Sequence, residues 1–183
     1  MNNYIIIGVI AVLVIYVIMQ YNRLVALRNN RENAFADIDV QLKLRFDLVP
    51  NLIETVKGYA THEKSVFENV SQARAAFVNA GNADEKIEAN NMLTGALKSV
   101  FALAEAYPDL KANTNFLQLQ NELSDIENKI SAARRFFNSA TNEFNTYLQG
   151  FPTNIFAGIF GFKAETMFQI ENEAERQNVK VSF

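Results

Sequence analysis

The sequence predicts an all-α fold: an N-terminal transmembrane helix continuing into an elongated antiparallel bundle of long helices with coiled-coil-like packing. Three observations predict it. Tyr4 to Tyr21 form one apolar run, and apolar residues then recur at steps of three and four over most of the chain. Only three Pro and seven Gly interrupt 183 residues of which 49 % are hydrophobic, a composition that suits long helices better than a loop-rich β fold. The chain divides into an anchor over 1–21, a long-helix bundle over 22–150 and an apolar C-terminal segment and tail over 151–183. The bundle helices are expected at 22–79, 83–107 and 115–150.

The anchor reads YIIIGVIAVLVIYVIMQY, 18 residues with Gln20 the one clearly polar side chain. At 1.5 Å per residue it spans about 27 Å, close to the hydrocarbon thickness of a bilayer. Ile5, Ile10, Val14 and Ile18 are its lipid-facing body, and Tyr4 and Tyr21 stand at the ends, where amphipathic rings favour the interface. A cleaved signal peptide would need basic residues before the run and small residues at a cleavage site after it. Here Met1, Asn2 and Asn3 precede it, YNRLVAL follows, and no Cys exists for a lipoprotein anchor. A retained single span is the better reading. Arg23, Arg28 and Arg31 lie just past it with no acid before them, so residues 1–31 carry +3 and the rest −6. The positive-inside rule then puts the short N-terminus outside and the bundle in the cytoplasm.

Beyond the span, Phe35, Ile38, Leu42, Val49, Leu52, Val56, Tyr59, Val66, Val70, Ala73 and Phe77 form a stripe interrupted at Arg45 and Glu63. Such spacing marks a long helix with one buried seam. Pro50 inside it is expected to kink the helix or break it after Val49. Asn79, Gly81 and Asn82 supply a stop and turn, with Asp84 as the expected cap of the next helix. That helix turns Ile87, Leu93, Leu97, Val100, Ala104 and Tyr107 inward, and Pro108 ends it before the connection PDLKANTN. Asn115 with Gln118 gives a capping-box-like start to the third helix. Its stripe is the most regular in the chain: Phe116, Leu119, Leu123, Ile126, Ile130, Ala133, Phe137, Ala140, Phe144, Tyr147 and Phe151, until Gly150 and Pro152 stop it. A strict repeat of this kind imposes left-handed supercoiling. These seams are expected to pack within the chain or against other copies.

The segment from Phe151 to Phe168 crowds Phe151, Ile155, Phe156, Ile159, Phe160, Phe162 and Phe168 around Gly158 and Gly161. A run this apolar must be covered, either by folding back as a short helix to cap the bundle or by another subunit or a membrane surface. The final residues, NVKVSF, alternate like a short strand.

The chemistry that the sequence excludes is broad. Without Cys there is no disulfide framework, iron–sulfur site, thiolate zinc site or Cys nucleophile. The single His, His62, lacks the second His at position 66 that a zinc-binding helix needs; Val66 stands there. Asp37 and Asp39 point about 200° apart on a helix and cannot share a metal. Arg134 and Arg135 suit ion pairs with neighbouring helices. No nucleophile–base pair emerges, so no enzyme and no cofactor is expected. The acidic body carries no footprint for nucleic acid.

The stretches NRLVALRNNRENAFADIDVQLKLRFDLVPNLIETVKGYATHEK, YPDLKANTNFLQLQNELSDIENKISAARRFFN and TNEFNTY, with FP before the apolar tail, strongly resemble the signature of the LemA family. The resemblance covers nearly the whole chain. It implies a membrane-anchored bundle of long helices in the bacterial cytoplasmic (inner) membrane, within a family of which some members are linked to magnetosome membrane formation. Pro50, Asn51, Glu54, Tyr59, Glu63, Pro108, Asn115, Glu122, Glu127, Asn128, Arg134, Arg135 and Asn138 match signature positions, and no catalytic residue is carried over. Phe35 and Phe137 stand where many members show Trp and Tyr.

Two functions follow as expectations. In the first, the chain is a scaffold that self-associates into a large homo-oligomer and organises or remodels the bilayer. In the second, a monomeric or dimeric anchor presents a helical face, including Asn51, Glu54 and Arg134, to an unidentified protein partner such as a protease or signalling protein.

Overall fold

The computed structural model describes residues 2–168; the strand-like end at 178–183 lies outside the described residues. Among these, every regular element is a helix: α1 (Asn2–Lys57), α2 (Lys64–Asn79), α3 (Ala83–Glu105), α4 (Pro108–Lys111), α5 (Thr114–Gln149) and α6 (Thr153–Ile159). The chain divides into two compact units, one of residues 35–134 and one of residues 1–34 with 135–183.

The 35–134 unit packs α2, α3 and parts of α1 and α5 in alternating directions, with the short α4 between α3 and α5. The predicted single helix over 22–79 is two helices. The chain reverses after α1, so the Phe46 and Phe77 rings stack 5.2 Å apart and Lys57 Nζ sits 5.5 Å from the Phe67 ring centroid. α3 reverses again, placing Lys86 Nζ 2.6 Å from Asp39. α5 runs back, bringing Glu127 beside Arg45 while Asn113, just ahead of α5, donates to Tyr59 Oη. The shared core includes Val49, Leu52, Val56, Phe67, Val70, Leu93, Leu97, Val100, Leu110, Phe116 and Leu123.

The reversal falls at Gly58, not at Pro50. Pro50 lies inside α1, where an interior Pro costs about 3 kcal/mol. Val49, Leu52 and Val56 around it are fully buried, and three such side chains at about 1.5–3 kcal/mol each outweigh that cost. Gly58 has no such compensation: it is exposed and disfavours a helix by about 1 kcal/mol relative to Ala. The Tyr59 and Ala60 N–H groups both close onto Val56 O. Tyr59 consequently leaves the predicted seam and stays 41 % exposed.

Two caps also differ from expectation. α3 is capped by Asn82, whose Oδ1 accepts from Glu85 N at 2.9 Å while Glu85 Oε2 accepts from Gly81 N at 2.6 Å; Asp84 is already helical. α5 is capped by Asn113, whose Oδ1 accepts from Phe116 N at 3.0 Å, so Asn115 lies inside the helix. The predicted connection after Pro108 contains the single turn α4, with Pro at its start, as the fixed φ of Pro allows.

One polar cluster interrupts the 35–134 core. Arg45 is 5 % exposed; its Nη1 lies 2.9 Å from Glu127 Oε2 and donates to Asn90 Oδ1 at 3.1 Å and Thr94 Oγ1 at 2.9 Å. Burial pushes the Arg45 guanidinium below its ordinary value, and the Glu127 carboxylate opposes that shift.

Candidate membrane-contact site

The unit of residues 1–34 and 135–183 is built on the first part of α1. Tyr4, Ile5, Ile10, Val14 and Ile18 are all more than half exposed. α1 is the one described helix long and apolar enough to cross a membrane, and none of its apolar window is buried. Full burial begins after it: Leu24 and Leu27 are buried with Phe144 and Ala157, supported by Tyr147, Leu148 and Phe162. Gln20, the lone polar residue of the run, marks the boundary. Its Oε1 accepts from Tyr147 Oη and from Thr153 Oγ1, which satisfies that oxygen.

α5 lies alongside α1 in the opposite direction. Arg23 Nη2 pairs with Glu143 at 3.1 Å, Arg28 with Glu32 at 3.0 Å and Arg31 with Glu165 at 3.3 Å. The Arg31 guanidinium also sits 4.9 Å from the centroid of the Phe137 ring, within range of a cation–π contact. Arg23 and Arg31 therefore tie α1 to α5 and to the segment at Glu165, while the Arg28 pair lies within α1.

The Phe-rich segment folds back onto α1. Thr153 and Ala157 of α6 are buried, while Phe151, Ile155, Ile159 and Phe160 remain exposed. Phe156 meets Tyr16 edge-on at 6.4 Å, and Tyr21 meets Phe160 at 5.0 Å and Phe162 at 5.8 Å. Gly161 ends α6 at φ +75°. Phe162 N then reaches Ala157 O at 3.0 Å and Gly161 N reaches Gly158 O at 3.4 Å, a Schellman turn that needs Gly at its left-handed position. The turn aims Phe162 back toward Phe144, 6.4 Å away between centroids.

From Gly161 the chain runs extended along α5, held by two asparagines. Asn145 exchanges two bonds with the Glu165 backbone, 2.8 and 2.9 Å, and Asn138 does the same with Phe168, 3.0 and 2.7 Å. Residues 138 and 145 are one heptad apart, about 10.5 Å along a helix, and three extended residues cover about 10 Å. Asn138 entered the sequence reading by resemblance alone, and Asn145 and Gln20 were given no such role. The available signal is the repeated Phe-Asn pair at 137–138 and 144–145, which puts an amide beside each seam residue. Asn145→Ala removes two bonds worth about 2 kcal/mol together, so amide exchange at Glu165 quickens about 30-fold. The Phe168 amide, held by Asn138, should change far less in the same experiment.

The remaining predicted residues separate into core and surface. Ile38, Leu42, Leu52, Leu123, Ile126, Ile130, Phe137 and Phe144 are buried within the chain, and Phe35 and Leu119 are half-buried. Asn51, Glu54, Asn128 and Arg135 are exposed; Pro50, Glu63, Glu127 and Arg134 are half-buried. His62 is exposed in the turn before α2. Among the described residues, no three His, Cys, Asp or Glu are grouped to hold a metal. An open cleft of about 580 Å³ is lined by Leu27, Asn142, Glu143, Thr146 and Phe151, among others.

An unpacked apolar helix that runs directly into helical packing defines a membrane-associated helical protein. The chain belongs to the LemA family, which it matches over residues 34–183. It is 29 % identical over 165 residues to Protein LemA of Metamycoplasma hominis, an alignment covering 88 % of this chain and 74 % of that one. It is similar to magnetosome protein MamQ 2 of Paramagnetospirillum magneticum, 24 % identical over 178 residues, with 83 % of this chain and 65 % of the relative covered. MamQ of Magnetospirillum gryphiswaldense is 25 % identical over 177 residues, with 82 % and 65 % covered. The chain thus spans just under two thirds of the length of these MamQ proteins.

Proposed function

We propose that the chain is a membrane-anchored helical scaffold whose copies associate side by side and organise the bilayer around them, with no catalytic step. The observation that carries this reading is the continuity of α1: one helix is unburied and apolar over its first turns and packed from Leu24 onward. Arg23, Arg28 and Arg31 favour the cytoplasm for the folded part and the outside for the N-terminal tip. The word magnetosome in the names of the MamQ relatives supports a role in the same direction.

Self-association requires a surface left over after folding. The seam residues Ile38 and Leu42 are consumed inside the chain, but Val40 and Leu44, one turn apart on α1, are 56 % and 47 % exposed. Tethering in one membrane raises the effective concentration of weak contacts between such faces. The chain has no Cys, so Leu44→Cys is a clean probe. Oxidation in membranes should give a disulfide-linked dimer from Leu44→Cys and none from Asn128→Cys. Absence of any linked dimer would favour the second reading, an adaptor, which rests on the exposed polar residues Asn51 and Glu54; Arg134, counted with them from the sequence, is half-buried.

A further inference from the structure

We propose that α6 and the Phe151 turn ahead of it lie in the headgroup–acyl boundary of the bilayer, giving the chain a second, monotopic lipid contact beside its span. The proposal rests on α1 being inserted and adds to it a surface that the span does not require.

The large exposed side chains of α6 and of the residues flanking it are apolar, and Asn154 is the exposed polar residue among them. Phe151 is 83 % exposed, Ile155 53 % and Ile159 72 %, at spacings of four residues, with Phe160 beside them at 44 %. No charged residue occurs from Gly150 to Phe162, and Lys163 follows at once. An apolar face bordered by a cation is the arrangement of helices that lie in the membrane interface.

The depth of this face follows from its contacts. Phe156 rests on Tyr16, Thr153 bonds to Gln20, and Phe160 rests on Tyr21. The run from Tyr4 to Tyr21 is about 27 Å long, so Tyr21 lies at the hydrocarbon border and Tyr16, about one and a half turns before it, about 7.5 Å inside. Whatever packs against Tyr16, Gln20 and Tyr21 shares that level. A soluble partner reaching Ile155 and Ile159 would have to displace the lipid already surrounding the neighbouring span. Lipid is the occupant continuous with the exposed surface of α1. At this depth the Tyr147 and Thr153 hydroxyls both donate to Gln20 Oε1.

The chain contains no Trp, so single Trp substitutions report without background. Full-length Ile155→Trp and Ile159→Trp would be reconstituted in phosphatidylcholine vesicles carrying bromine either near the headgroup or near the acyl terminus. Phe151→Trp, outside α6, keeps the test if substitution within the helix disturbs it. Ile10→Trp serves as the span control. Phe136→Trp is the aqueous control: Phe136 is 52 % exposed and adjoins Phe137, which meets Arg31. The proposal expects blue-shifted emission and several-fold quenching at 155 and 159, stronger with shallow than with deep bromine, and none at 136. Quenching at 10 but not at 155, 159 or 151 would overturn it and leave the span intact. Emission that is blue-shifted at 155 and 159 yet indifferent to bromine would also overturn it, because a second copy would then cover the face. Failure at 10 as well would remove the anchor itself.

Discussion

Ile10→Arg with Val14→Arg moves the protein from the membrane to the soluble fraction. The eleven Ile, Val and Leu of the span favour insertion by about 0.3–0.6 kcal/mol each, or about 3–7 kcal/mol together. Two central arginines cost about 2.5–3.5 kcal/mol each, about 5–7 kcal/mol for the pair, which cancels that preference. Ile10 and Val14 are exposed and belong to no core, so helical content should survive. Fractionation of membranes beside far-ultraviolet circular dichroism reads both quantities. Ile10→Leu with Val14→Leu should stay in the membrane pellet.

Glu127→Ala destabilises the fold by about 3 kcal/mol, the low end for removing one partner of a buried ion pair. The low end applies because the Glu127 side chain is 36 % exposed while that of Arg45 is 6 % exposed. The loss arises from Arg45: a guanidinium already pushed down by burial would keep Asn90 and Thr94 but lose its counter-charge. Arg45→Met with Glu127→Leu should recover most of the loss, since no buried charge is then stranded. Glu143→Ala breaks a pair in which both side chains are more than half exposed, and should change stability by less than about 1 kcal/mol. Urea midpoints at unchanged slope are the appropriate reading.

The apolar start of α1 and the third helix were legible because one is an unbroken apolar run and the other a single periodic stripe, with nothing competing: α1 is apolar and unburied there, and the helix expected at 115–150 is α5, Thr114–Gln149. The reversal at Gly58 was not legible from the stripe. α1 and α2 face the same core, so the spacing of three and four continues in phase across the turn. The two interruptions of that stripe were nonetheless informative. Arg45 is the buried ion of the core, and Glu63 is the residue ahead of α2. The caps slipped by two residues because several Asn and Asp crowd each turn and only backbone direction selects among them. The asparagine clamp on residues 165 and 168 was hidden for a different reason: it binds backbone and therefore leaves no pattern in the bound segment. Composition alone showed that the Phe-rich segment must be covered; the contacts of Phe156 and Phe160 with the tyrosines of α1 locate it.

The most direct test of the scaffold is the mass of the full-length protein in mild detergent, measured over a range of concentrations. One chain weighs 20.6 kDa. A uniform particle of many chains is the expected result, and it should break down when Val40 and Leu44 are both replaced by Glu. A particle holding a single chain at the highest concentration reached would contradict self-association and with it the scaffold.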